Sequence, residues 1–118
     1  MNEPKAVFEV LSQDAQLGII EVHGELTGAA EARLMEANTQ AISGGAHTVL
    51  LDFSNMAFMN STGIGLLVTF LVRANRNGTH LAACGLNEHY REIFALTRLE
   101  EAFTIYGTRQ EALDAALA

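Results

Sequence analysis

Basic residues are scarce in this chain: seven Lys and Arg stand against fourteen Asp and Glu, a net charge of −7. A nucleic-acid binder needs a basic stripe to neutralise phosphates, and there is none. The same balance disfavours docking on anionic lipid headgroups. A protein is therefore the expected partner, with no nucleic acid and no direct membrane insertion. The single cysteine, Cys84, cannot form an internal disulfide, which fits a reducing cytosol. Proline occurs once and low-complexity tracts are missing, while hydrophobic residues make up 49%, which argues against disorder. The longest apolar run, within residues 64–72, is too short to span a bilayer. Met1-Asn2-Glu3-Pro4-Lys5 lacks the basic start and apolar core of a signal peptide. The expected location is cytoplasmic. His23, His47, His80 and His89 are scattered without metal-ligand spacing, so neither a metal nor a cofactor is expected.

What is present reads as one domain of 118 residues, alternating between strands and helices. Residues 6–11 and 17–23 are β-type segments, joined across the polar Ser12-Gln13-Asp14-Ala15-Gln16 as a hairpin. Gly24-Glu25-Leu26-Thr27-Gly28 breaks the second strand, and Thr27 stands as N-cap of an Ala-rich helix reaching Ile42. Ala30, Leu34, Ala37 and Ala41 share one face of it. Gly44-Gly45 ends that helix, and residues 47–53 are apolar enough for a central strand covered on both sides. A second helix runs from Ser61 to Asn77, with Gly78 at the C′ position. Residues 79–84 follow as a strand, then a helix capped by Asn87 and ending near Leu99, with Glu88 placed for the dipole. Residues 103–106 form a short edge strand. Thr108-Arg109-Gln110-Glu111 is a capping box opening the last helix, residues 109–117. The class is α/β, in the order ββαβαβαβα. It implies a single mixed sheet of about five strands with about four α-helices, largely parallel after the first hairpin.

The junction Phe58-Met59-Asn60-Ser61-Thr62-Gly63-Ile64-Gly65 carries the most information. It places the hydroxyl of Ser61 at a helix N-terminus, where unpaired N–H groups and the dipole favour an anion. Wound at 100° per residue, Ile64, Val68, Leu71 and Asn75 share one face, with Leu67 and Val72 on its flanks, read as the sheet-packing side. Leu66, Thr69, Phe70, Arg73 and Asn77 fall opposite. An exposed Leu66–Phe70 pair beside Arg73 would then be a docking patch, unless a loop or neighbouring helix covers it.

These residues carry a family resemblance. Gly24-Glu25-Leu26, Val49-Leu50-Leu51-Asp52-Phe53-Ser54, Met59-Asn60-Ser61-Thr62-Gly63-Ile64-Gly65, Leu96-Thr97-Arg98-Leu99 and Phe103-Thr104-Ile105-Tyr106 are similar to successive motifs of the STAS domain. Within it, the chain resembles the anti-sigma factor antagonists of bacterial partner-switching systems. The resemblance implies the STAS fold and a protein that is not an enzyme. It implies phosphorylation at Ser61 by an anti-sigma factor that is also a serine kinase. The unphosphorylated form would bind that kinase and release a sigma factor, and a serine phosphatase of the metal-dependent type would restore it. Two positions depart from the family, which usually has Asp where Asn60 and Thr27 stand here. Both changes remove negative charge beside the site. They reduce like-charge repulsion on a phosphoserine and delete any kinase contact made through those carboxylates. The expected partner-binding set is Glu25, Thr27, Asn60, Ser61, Thr62 and Gly63, together with Leu66, Phe70 and Arg73.

Plainer readings compete. A serine starting a helix ordinarily serves as its cap, and Thr62 is a second possible phosphate acceptor. Gly63 and Gly65 belong to no Gly-Lys-Ser/Thr loop or full glycine fingerprint, and Ser61 lacks the Gly-x-Ser-x-Gly elbow of a hydrolase. Glu25 and Asp52 are single carboxylates near the site, the first an interface candidate and the second as easily structural. Cys84 reads as a small buried hydrophobe. The alternative function is a STAS regulatory subunit of a membrane transport complex, such as a lipid-trafficking ABC importer.

Overall fold

The computed structural model describes residues 7–14 and 17–117. Five strands, β1 (Val7–Asp14), β2 (Leu17–Leu26), β3 (Thr48–Met59), β4 (His80–Cys84) and β5 (Thr104–Tyr106), form one sheet in that spatial order. β1 runs antiparallel to β2, and β2 to β5 form a parallel block of four. The helices are α1 (Glu31–Ser43), α2 (Ser61–Arg76), α3 (Glu88–Leu96) and α4 (Arg109–Leu117).

Strand alternation assigns the two layers. Ile20, Val22, Val49, Leu51, Phe53, Leu81 and Ala83 point to one side, where they pack with Leu34 and Ala37 of α1, Leu67 and Phe70 of α2, and Tyr90 and Phe94 of α3. Leu17, Ile19, Leu50, Ala82 and Cys84 point to the other, against Ala112 and Leu113 of α4. The unequal layers follow from topology. The crossovers from β2 to β5 all step in the same direction across the sheet, and right-handed connections then put α1, α2 and α3 on one face. Only α4, which follows the last strand, reaches the opposite face.

Several boundaries move. β1 continues through the expected turn to Asp14, Ala6 falls outside the described residues, and so do Ala15 and Gln16 between the first two strands. Gly24 does not break β2. It adopts φ +72° at a register shift, and the strand resumes to Leu26. β3 runs past Phe53 because the far end of β2 gives it partners: His23 pairs with Asn55, Gly24 with Met56, Glu25 with Phe58 and Leu26 with Met59. Thr27 caps a 3₁₀ turn, Gly28–Ala30, ahead of α1. α3 stops at Leu96, where Arg98 takes a left-handed conformation (φ 64°) before the turn Leu99–Glu101.

The largest correction concerns α2. Gly63, Leu66, Leu67, Phe70 and Ala74 are the buried side, Phe70 completely so, whereas Val68 and Val72 are exposed. The docking patch expected at Leu66 and Phe70 is therefore core. Both stripes are apolar, so periodicity could not choose between them; Gly63 does. A β-carbon there would lie 2.2 Å from the Leu26 carbonyl oxygen. Only a glycine lets the helix rest on the end of β2, and that contact turns the Gly63 stripe inward.

Candidate functional site

The two sequence motifs meet where β2 and β3 end. The Asn60 N–H donates to the Leu26 carbonyl at 3.4 Å. A β-carbon on Gly28 would lie 2.7 Å from Thr62 Cγ2, so the start of the 3₁₀ turn presses on the first turn of α2. Thr27 holds that turn, its Oγ1 accepting from Ala29 N–H at 3.4 Å. Glu25, half-buried, stands beside Phe58, and Phe58 is 45% exposed.

Asn60 is the cap. Its backbone is extended (φ −102°, ψ −179°), and its Oδ1 accepts from Gly63 N–H at 2.8 Å. Ser61 is the first helical residue, not the cap; it is exposed, and its hydroxyl engages no described residue. The first turn of α2 carries no acidic residue, so the positive end of its dipole is left without a formal charge against it. Among the described residues, no side chain that could act as a general base is hydrogen-bonded to Ser61. Thr62 is exposed as well, with its methyl against Gly28.

From Ser61 a stripe of outward positions continues through Gly65, Val68 and Val72, at spacings of four, three and four residues. This stripe takes the place of Leu66 and Phe70 as the accessible apolar surface. Arg73 is exposed but lies in the last turn of α2, about 18 Å along the axis from Ser61 at 1.5 Å per residue. There it complements the C-terminal dipole. With Met35, Asn38, Ile42 and Arg76 it lines a groove of ≈ 350 Å³ between α1 and α2, at the far end of the helix.

A charged cluster on the α4 face was not visible in the sequence. Arg109 Nε donates to Asp52 Oδ2 at 2.9 Å, and its Nη2 donates to Glu21. Asp52 Oδ1 accepts from the Ser54 N–H at 3.0 Å and from its hydroxyl at 2.6 Å. Burial pushes the Asp52 carboxyl up, but the Ser54 and Arg109 bonds outweigh it and hold it below its ordinary value. Burial, followed by the neighbouring Asp52 charge, raises the Cys84 thiol to about 12, which leaves it inert. The capping box marked Arg109 as the start of α4. Its partners lie 57 and 88 residues away, pairings no local pattern encodes. Among the described residues, no group of three or more His, Cys, Asp and Glu could hold a metal, and no helix is long and apolar enough to cross a membrane.

Comparison with known proteins places this geometry. The model of the STAS domain matches residues 10–112. The anti-sigma-B factor antagonist of Staphylococcus epidermidis is 32% identical over 82 residues, covering 70% of this chain and 76% of the relative. The protein of the same name from Staphylococcus aureus (strain NCTC 8325 / PS 47) is 29% identical over an equal length. In fold, the chain is similar to the anti-sigma factor antagonist SpoIIAA in its unphosphorylated form, with a TM-score of 0.75 and 21% identity over 93% of this chain and 96% of that one. It is similar also to an anti-sigma factor antagonist from Mycobacterium paratuberculosis, with a TM-score of 0.79 and 20% identity over 97% and 96%. The chain belongs to the STAS domain family, among the anti-sigma factor antagonists.

Proposed function

We propose that this protein switches partners through Ser61. Unphosphorylated, it binds an anti-sigma factor that is also a serine kinase, and a sigma factor is released. Phosphorylation of Ser61 breaks that complex, and a metal-dependent serine phosphatase restores it. The protein acts by binding rather than by catalysis, in the cytoplasm, as a single domain spanning the chain. The observation that carries the reading is that Asn60 caps α2 and leaves the Ser61 hydroxyl exposed at the head of an apolar stripe. The relatives' name, anti-sigma-B factor antagonist, supports it. Glu25, Thr27, Asn60, Ser61 and Thr62 surround the contact, with Phe58, Val68 and Val72 supplying its apolar area. Gly63 is buried and contributes by seating the helix on Leu26.

The energetics suit a switch. A phosphate adds roughly −1.5 to −2 charges. At the N-terminus of α2 that charge gains about 0.3–1 kcal/mol, so the free protein accommodates it. In an interface without matching donors the same group is costly. A hundredfold loss of affinity needs about 2.7 kcal/mol, and an unpaired buried charge exceeds that.

The test is affinity capture from native lysate with wild type, Ser61→Ala and Ser61→Asp. Wild type and Ser61→Ala should retain a serine-kinase anti-sigma factor that Ser61→Asp does not. Equal capture of that kinase by all three would refute the switch. Transport subunits retained equally by all three would move the protein to the transport-complex reading.

A further inference from the structure

Asn77 and Gly78 close α2, and their chemistry has no part in the partner switch. We propose that Asn77 is a site of spontaneous deamidation in the folded protein. The Gly78 backbone nitrogen attacks Asn77 Cγ, a C–N bond forms, the Cγ–Nδ2 bond breaks, and ammonia leaves with the proton that the glycine nitrogen gives up. Water then opens the five-membered succinimide at either carbonyl, yielding aspartate or isoaspartate. No electrons are transferred and water is the only co-reactant.

Four observations set this pair apart from Asn60, Asn75 and Asn87. Gly78 presents no side chain, and a β-carbon placed on it would meet nothing within 4 Å, so the peptide has room to turn. Its φ of +68° is one of several conformations a glycine visits at little cost. Its N–H is held by a single bond to the Asn75 carbonyl at 3.2 Å, at the long end of the range. Asn77 is exposed, and rotation about its ψ, now 0°, brings the Gly78 nitrogen toward Cγ. The opposite case stands at the other end of the same helix. Asn60 also precedes a small residue, but its side chain is pinned to Gly63 N–H at 2.8 Å and its own N–H to Leu26. Asn75 and Asn87 precede Arg76 and Glu88, whose side chains crowd the ring closure.

The product matters locally. A carboxylate at Asn77 meets the partial negative charge of the α2 C-terminus, with Arg73 and Arg76 on hand to offset it. Isoaspartate also lengthens the backbone beside the Thr79 N–H bond to the Ala74 carbonyl, 2.9 Å, which finishes the helix.

The experiment is incubation of the folded protein at mildly alkaline pH, followed by peptide mapping by mass spectrometry and an isoaspartate assay. The peptide holding Asn77 should gain one dalton and isoaspartate well before the peptide holding Asn60, and the intact protein should become more acidic by one charge. Asn77→Gln should abolish the change while keeping the fold. Conversion in urea with none in the folded protein would overturn the proposal, and so would equal rates at Asn60 and Asn77.

Discussion

Replacing Arg109 by Met keeps most of the aliphatic length of the side chain and removes the guanidinium. Two charge-assisted hydrogen bonds disappear, to Asp52 and to Glu21. The Asp52 side chain is only 7% exposed, so its charge is left in poor solvent. Breaking a fully buried pair costs about 3–5 kcal/mol. The Arg109 side chain is 28% exposed, and the two Ser54 bonds to Asp52 survive the substitution. Both facts reduce the loss, to about 2–3 kcal/mol, near the range for hydrogen bonds to charged groups. Urea unfolding followed by circular dichroism should show a lower midpoint with an unchanged slope. The pH dependence has a fixed sign. The Asp52 carboxyl is held low in the folded state, so its contribution is complete above the unfolded value of about 3.9. It fades as pH falls through the lowered folded value. In Arg109→Met that acid-side decline should shrink. A stability loss within ~0.5 kcal/mol, the range of an ordinary surface change, would show that solvent screens the cluster and would refute its role in holding α4 to the sheet.

Three other predictions separate packing from recognition. Phe70→Ala, at a fully buried site, should destabilise by about 3–5 kcal/mol; Val72→Glu, on the exposed face, should leave the melting temperature nearly unchanged and weaken capture of the proposed partner kinase. The converse pattern would return the docking surface to Leu66 and Phe70. Asn60→Ala should cost about 0.5–2 kcal/mol in chemical denaturation through loss of the α2 cap, whereas Asn60→Asp should keep the cap; equal stability of Asn60→Ala and wild type would deny the cap its energetic role. Arg98→Gly should raise the melting temperature, because relief of about 1–2 kcal/mol of left-handed strain exceeds the roughly 0.4–1 kcal/mol of added unfolded-chain entropy. A lower melting temperature would mean that the Arg98 side chain contributes more than its backbone costs.

The legible parts of this fold were the ones written in local chemistry. Asn87 accepts from Tyr90 N–H at 2.9 Å, Thr108 Oγ1 from Glu111 N–H at 3.2 Å, and Ala30, Leu34, Ala37 and Ala41 are all buried, as side-chain type and spacing anticipate. In the capping box the Glu111 carboxylate reaches Gly107 N–H at 3.1 Å, one residue earlier than the motif's usual target. What could not be read depends on contacts distant in sequence. The polar Ser54-Asn55 pair looks like a loop until β2 supplies a partner, His23 lying opposite Asn55 just past the register shift that follows Glu21. The facing of α2 was undecidable from hydropathy, since Val68 and Val72 are as apolar as Leu66 and Phe70. It was set by the space that Gly63 leaves for Leu26. At the site, the position of Ser61 was foreseen, but its freedom from capping was not, because two adjacent residues could each have filled that position.

That division of labour between Asn60 and Ser61 bears on what mutation can do here. Asn60 holds the helix, and the residue beside it holds nothing. Substitutions at Ser61 should therefore spare cellular abundance, whatever they do to signalling. A library covering both positions, scored in parallel for protein level and for partner retention, should split them cleanly. Position 60 would be constrained in both scores and position 61 in the second alone. A lineage carrying this arrangement could exchange the chemistry of its signal without first having to rebuild the protein that displays it.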